Sequence, residues 1–164
     1  MGSATGSEGG HAGRFDYDRP MTPGAEVRIL HELGEDGLRR LVSSFFRRAR
    51  TDDVLGPMYR ASLDATGEDW PDAERRLAQF LIFRMGGSRE YIEQRGHPRL
   101  RARHMGFAID AGGAERWALR MGEAMADAGV PDSIRGELGG FFGETAAWMV
   151  NRADGHRGGP DRSV

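Results

Sequence analysis

Cysteine is absent from all 164 residues. Its absence excludes disulfides, a thiolate nucleophile and iron–sulfur or cysteine-bound zinc centres, and leaves histidine as the strong nitrogen ligand for a transition metal. Lysine is missing too, so all 23 basic residues are arginine, a bias from which no function follows. No apolar run approaches the roughly 20 residues that span a bilayer. The opening MGSATGSEGG has neither the basic nor the apolar region of a signal peptide, so the expectation is a soluble, cytoplasmic protein with no membrane partner. Charge of one sign is also lacking. A net charge of −2 gives no basis for binding nucleic acid, and Arg39-Arg40 and Arg47-Arg48 read as solvated helix faces.

What is present is a chain with 38% apolar residues, long enough for one compact domain that encloses a ligand. Residues 1–22 are rich in Gly and Ser and bury too little apolar surface to offset their ordering entropy, so they read as a flexible N-terminal arm. Residues 153–164 have the same character, which leaves 23–152 as the folded domain and makes His11 and His156 poor members of a fixed site.

Between the arms, apolar residues recur at helical spacing and no alternating strand pattern competes. Leu38, Leu41, Val42, Phe45 and Phe46 mark one helix, and Leu77, Phe80, Leu81 and Met85 a second. Trp117, Met121, Ala124, Met125 and Ala128 mark a third, which AGVPDS ends. A fourth runs from Ile134 through Leu138, Phe141, Phe142, Thr145, Trp148 and Met149. Short helices are expected at 25–33 and 52–58, with loops over MYRASLDATGEDWP and MGGSREYIEQRG. The fold class is all-α, and bundles of this kind commonly hold cofactors between facing helices.

Two of the five histidines fall in HPRLRARHMGFAI, residues 97–109. His97 precedes Pro98 and so marks a boundary where a short helix begins. His104 follows two turns later, with Met105, Phe107, Ala108 and Ile109 behind it. A two-histidine zinc site is disfavoured because Arg99, Arg101 and Arg103 would repel a divalent cation. The same arginines suit a ligand with an apolar body and an anionic edge, since guanidinium binds carboxylate bidentately. Haem is such a ligand, and a neutral histidine can bind its iron axially. On chemistry alone, a lone histidine beside apolar residues is more often a core histidine with its hydrogen bonds satisfied.

The stretch YIEQRGHPRLRARHMGFAI closely resembles the segment that carries the proximal haem histidine in group II truncated haemoglobins. FFRRARTDDVLGPMY resembles their second helix and the corner after it, AERRLAQFL their distal helix, ERWALRM the helix with their hallmark tryptophan, and AAWMVNR the end of their last helix. The resemblance covers residues 25–152 and implies a truncated-globin fold, a two-on-two helical sandwich around haem b. It implies His104 as the iron ligand, and a distal pocket of Phe46, Tyr59, Ala73, Leu77 and Trp117. Leu100, Phe107 and Ile109 would pack on the proximal face, and Phe45, Phe80 and Leu81 would contact the haem. Arg76, Tyr91 and Arg103 would meet its propionates.

Two departures from the family matter. Phe46 stands where many members carry a ligand-binding tyrosine, and phenylalanine donates no hydrogen bond, so the Trp117 indole is expected to hold bound oxygen. The stretch RASLDATGEDWPD, between Tyr59 and Ala73, is longer than usual and is expected to be loop.

The resemblance implies reversible binding of oxygen and other diatomic gases (CO, NO). Redox chemistry such as NO dioxygenation or peroxide reduction would need an unidentified reductase, because the chain holds no electron donor. No distal histidine or carboxylate is apparent as an acid–base group, which weighs against efficient peroxidase action. A homodimer is one expected assembly. A haem-based sensor whose arms contact a partner, and a haem-free interaction module, are the competing functions.

Overall fold

The computed structural model describes residues 21–153. The expected arm and tail, with His11 and His156, lie outside the described residues except at their inner ends. The described residues form α1 (Ala25–Ala49), α2 (Leu55–Thr66), α3 (Trp70–Arg84), α4 (Glu90–Arg95), α5 (Leu100–His104), α6 (Ala111–Asp127) and α7 (Asp132–Trp148), with no strand among them.

The helix expected at 25–33 is the first arm of α1. Gly34 adopts φ 64° and ψ 173°, a non-helical conformation that glycine takes at no steric cost and that kinks α1 into two helical arms. Ile29 before the kink and Leu38 after it are both fully buried.

α2 corrects the sequence reading. Its first turn is capped by Asp52, whose Oδ1 accepts from the N–H groups of Val54 and Leu55, each at 2.9 Å. The helix then runs through most of the expected 58–71 loop and stops at Gly67, which takes φ 68° as a left-handed C-cap. Ser62, Asp64 and Thr66 are turn residues by propensity, but no glycine interrupts the stretch before 67, and Met58, Tyr59, Ser62 and Thr66 share one face. Only residues 67–69 connect α2 to α3. Asp69 and Asp72 form a reciprocal capping box at the start of α3, at 2.9 and 3.2 Å.

The second expected loop likewise contains α4, which buries Tyr91 against Phe80 with ring centroids 5.5 Å apart. α5 begins at Leu100 and not at Pro98, after Arg99 in the left-handed region (φ 41°).

α1 packs against α3, α6 packs against α7, and the two helix pairs meet through α1 and α6. Their shared core holds Leu41, Val42, Phe45, Met121, Leu138 and Phe142. The shorter α2, α4 and α5 border the space between the pairs. No helix is long and apolar enough to cross a membrane among the described residues.

One charged network ties α6 to the end of α1 and the start of α2. Arg48 bonds Asp127 (2.7 Å) and Glu123 (2.9 Å), Arg120 bonds Glu123 (2.8 Å) and Asp52 (2.7 Å), and Arg116 approaches Asp52 at 3.5 Å. Burial would raise the Asp52 carboxyl, but the Leu55 N–H, Arg120, the Val54 N–H and Arg116 together bring it down to about 2.

Candidate functional site

Between the helix pairs lies a cavity of about 400 Å³, within the range of sites for drug-sized ligands and cofactors. Its walls draw on all seven helices of the described residues and include Phe46, Tyr59, Ala73, Leu77, Phe80, Leu81, Leu100, Phe107, Ile109 and Trp117, while Arg76, Tyr91, Arg103 and His104 also line it. Every site residue expected from the sequence therefore faces this one space, except Phe45. That residue is fully buried behind the wall, 5.3 Å from the Trp117 ring, because consecutive positions on α1 point in different directions and Phe46 takes the cavity side.

His104 ends α5. Its Nδ1 lies 2.6 Å from the Leu100 carbonyl oxygen, which only accepts, so Nδ1 carries the proton and Nε2 keeps its lone pair. Burial, with the charges of Arg76 and Arg103, outweighs the Leu100 hydrogen bond and pulls the imidazole below its ordinary pKa, so it is neutral at pH 7. His97 is exposed at the boundary before α5, and no cluster of three metal-ligating side chains occurs among the described residues.

The segment after His104 is held by a residue the sequence reading missed. The Asn151 side-chain amide donates to the carbonyls of His104 (3.0 Å) and Phe107 (2.9 Å), and its oxygen accepts from the Ile109 N–H (3.0 Å). No local pattern marks Asn151, since its partners lie more than 40 residues away.

Also lining the cavity, the Trp117 indole donates to Tyr59 Oη at 3.1 Å. The indole N–H expected to be free for a ligand is therefore already engaged. Tyr59 accepts that bond and retains its own hydroxyl proton. Desolvation pushes the phenol up to about 12 against the opposing effects of Trp117 and Arg76, so it stays protonated. Phe46 packs edge-on to Tyr59 at 5.4 Å, and Trp70, also unforeseen, packs on Tyr59 at 5.8 Å. Tyr59 is thus fixed on three sides by aromatic rings.

One end of the cavity is charged. Arg76, Arg95 and Arg103 line it together with Glu68, a carboxylate that the sequence reading did not find. Glu68 pairs with Arg76 and, at 3.4 Å, with Arg95. Arg103 donates to the carbonyls of Arg95 (2.7 Å) and His97 (3.3 Å). The rest of the lining is mostly apolar, although Thr145 contributes a buried hydroxyl with no partner among the described residues.

The family model of bacterial-like globins matches residues 30–151 of this chain. The chain belongs to the group II truncated haemoglobins. It is 36% identical over 122 residues to group 2 truncated hemoglobin YjbI of Bacillus subtilis, covering 74% of this chain and 87% of that one. The crystal structure of the group II truncated hemoglobin from Bacillus anthracis aligns with a TM-score of 0.70 at 33% identity, over 85% of this chain and 98% of that one. A truncated oxygen-avid haemoglobin from Bacillus subtilis aligns with a TM-score of 0.67 at 35% identity, over 74% and 98% of the two chains.

This truncated haemoglobin is accordingly an all-α two-on-two globin that binds haem and diatomic gases. The observed residues fit that cofactor. A neutral imidazole with a free Nε2 meets the need of an iron, the apolar walls suit the macrocycle, and guanidinium groups at one end suit its carboxylates.

Proposed function

We propose that this globin binds oxygen reversibly, with His104 as the axial ligand of the haem iron and Tyr59 as the distal hydrogen-bond donor. Haem supplies the iron on which a diatomic gas binds, and the protein supplies the surroundings. The Nδ1 bond to Leu100 fixes the tautomer and the ring plane of His104, while Asn151 fixes the turn behind it. Leu100, Phe107 and Ile109 would pack on the His104 side, with Leu77, Phe80 and Leu81 against the rest of the macrocycle. Ala73, buried and small, leaves the approach beside Leu77 open. Trp117 orients the Tyr59 hydroxyl, and Phe46 forms an apolar backing in the place where many relatives have a donor.

The observation that carries this reading is the unprotonated Nε2 of a histidine that lines the same cavity as a phenol that keeps its proton. Absorption spectroscopy of the purified chain tests it. A Soret band that shifts when CO is added to the reduced protein is the expected result. The His104→Gly chain should lose the axial histidine signature in resonance Raman spectra, and a retained, identical signature would reject the assignment.

Redox turnover, whether NO dioxygenation or peroxide reduction, is the secondary reading. It needs an external reductase, and Glu68 is the one carboxylate lining the cavity among the described residues. Paired with two guanidinium groups and held below the usual carboxylate range, Glu68 is a poor proton donor at neutral pH. Binding therefore ranks above peroxidase action. A cytoplasmic location, a role in oxygen transport and a homodimeric state belong to the same proposal. The folded domain of residues 23–152 is its working unit.

A further inference from the structure

Glu68 stands in the three-residue connection between α2 and α3 and lines the charged end of the cavity. Its Oε2 accepts from Arg76 of α3 and from the Thr66 hydroxyl (3.4 Å), and its Oε1 accepts from Arg95 of α4 (3.4 Å). Burial opposes ionisation of the carboxyl, but the hydrogen bond and charge of Arg76, followed by Arg95, hold it below the usual carboxylate range. One carboxylate of the protein thus occupies two guanidinium groups of the cavity.

Haem carries two carboxylates on one edge of an apolar ring, and guanidinium groups are their chemical complement. With haem in the cavity, three carboxylates would share Arg76, Arg95 and Arg103. A guanidinium has five donors and can serve two carboxylates, but the two are then close together and repel each other.

We propose that Glu68 competes with the haem carboxylates for Arg76 and Arg95 and so weakens haem retention by this globin. The proposal rests on the reading that this end of the cavity receives those carboxylates. The rival role, in which Glu68 merely holds the two arginines in place for haem, predicts the opposite sign: removing its charge would then loosen the cofactor.

The test compares the wild-type chain with Glu68→Gln, each loaded with haem and, separately, with haem dimethyl ester, which lacks both free carboxylates. Transfer to excess apomyoglobin, followed by absorbance, gives the rate of loss. Glu68→Gln should slow the loss of haem by roughly five- to tenfold, the scale of one net intramolecular hydrogen bond, and the difference should shrink to less than about twofold with the ester. Equal or faster loss of haem from the variant would overturn the proposal, as would the same slowing with the ester. A wild-type chain that takes up no haem would overturn the functional reading and this proposal together. A loaded chain with no Glu68 effect would leave the functional reading standing.

Discussion

A phenol that accepts from an indole still has its own proton to give, and this separates the roles of Tyr59 and Trp117. The two are expected to act as a unit in holding a ligand. Tyr59→Phe removes the donor and should raise the oxygen dissociation rate roughly tenfold, since a buried hydrogen bond contributes about 1–3 kcal/mol. Trp117→Phe should raise it several-fold by freeing the Tyr59 hydroxyl to rotate. The double variant should lie within about a factor of two of Tyr59→Phe alone, because both changes act on one hydrogen-bonded pair. Stopped-flow measurement decides between the donors: an unchanged rate in Tyr59→Phe with a large rise in Trp117→Phe would return the role to the indole.

Individual residues were unevenly legible. His104 was readable because its flanking motif is specific and its neighbours are apolar. Trp70, Glu68 and Asn151 were not, because each acquires its place only through partners on other elements. The packing of Trp70 on Tyr59 depends on where α3 starts, and the hold of Glu68 on Arg95 depends on the approach of α4.

At the scale of elements, two contacts decide how the cavity walls are set. The side chain of Asn151, just beyond α7, makes three hydrogen bonds to His104, Phe107 and Ile109, at the end of α5 and in the segment after it. Asn151→Ala should destabilise the protein by about 1–3 kcal/mol and broaden or shift the iron–histidine stretching band. A variant with an unaltered band would leave Asn151 a stabilising residue only.

Asp52 joins the α2 N-terminus to α6, and its carboxyl sits at about 2 in place of the ordinary 3.8. A carboxyl lowered by folding contributes stability that is fully present above the unfolded value and is lost as pH falls from about 4 towards 2. Asp52→Asn should therefore lower stability by about 2 kcal/mol at pH 7, with the gap narrowing at pH 3. Urea unfolding midpoints at the two pH values measure both. A gap as large at pH 3 as at pH 7 would show that the ionised state of Asp52 is not the source.

The long helices were legible as elements because their apolar periodicity reports a buried face. The start of α2 was legible as the short helix expected at 52–58, but its continuation to Thr66 was masked by Ser62, Asp64 and Thr66, and the six-residue α4 was too short to show a period. Their helicity comes from the caps at Asp52 and Gly67 and from the burial of Tyr91.

At the scale of the whole molecule, the cavity is the feature that the fold leaves between its two helix pairs. Binding to the folded chain alone makes haem a stabiliser, so hemin at 100 times its dissociation constant should add about 2.7 kcal/mol to the unfolding free energy. The urea midpoint with and without hemin checks this, and an unmoved midpoint would mean that haem does not bind the folded cavity.

By itself the sequence determined the class of the fold and the family, and it singled out the histidine proposed to face the iron, because helical period and a specific local motif are properties of neighbours along the chain. It excluded thiol chemistry outright. The tertiary structure alone decided which of Tyr59 and Trp117 keeps a free donor in the cavity and which carboxylate sits at its charged end. It also decided what braces the histidine turn. Those are hydrogen bonds between atoms far apart in the chain, and they exist only once the helix pairs have packed.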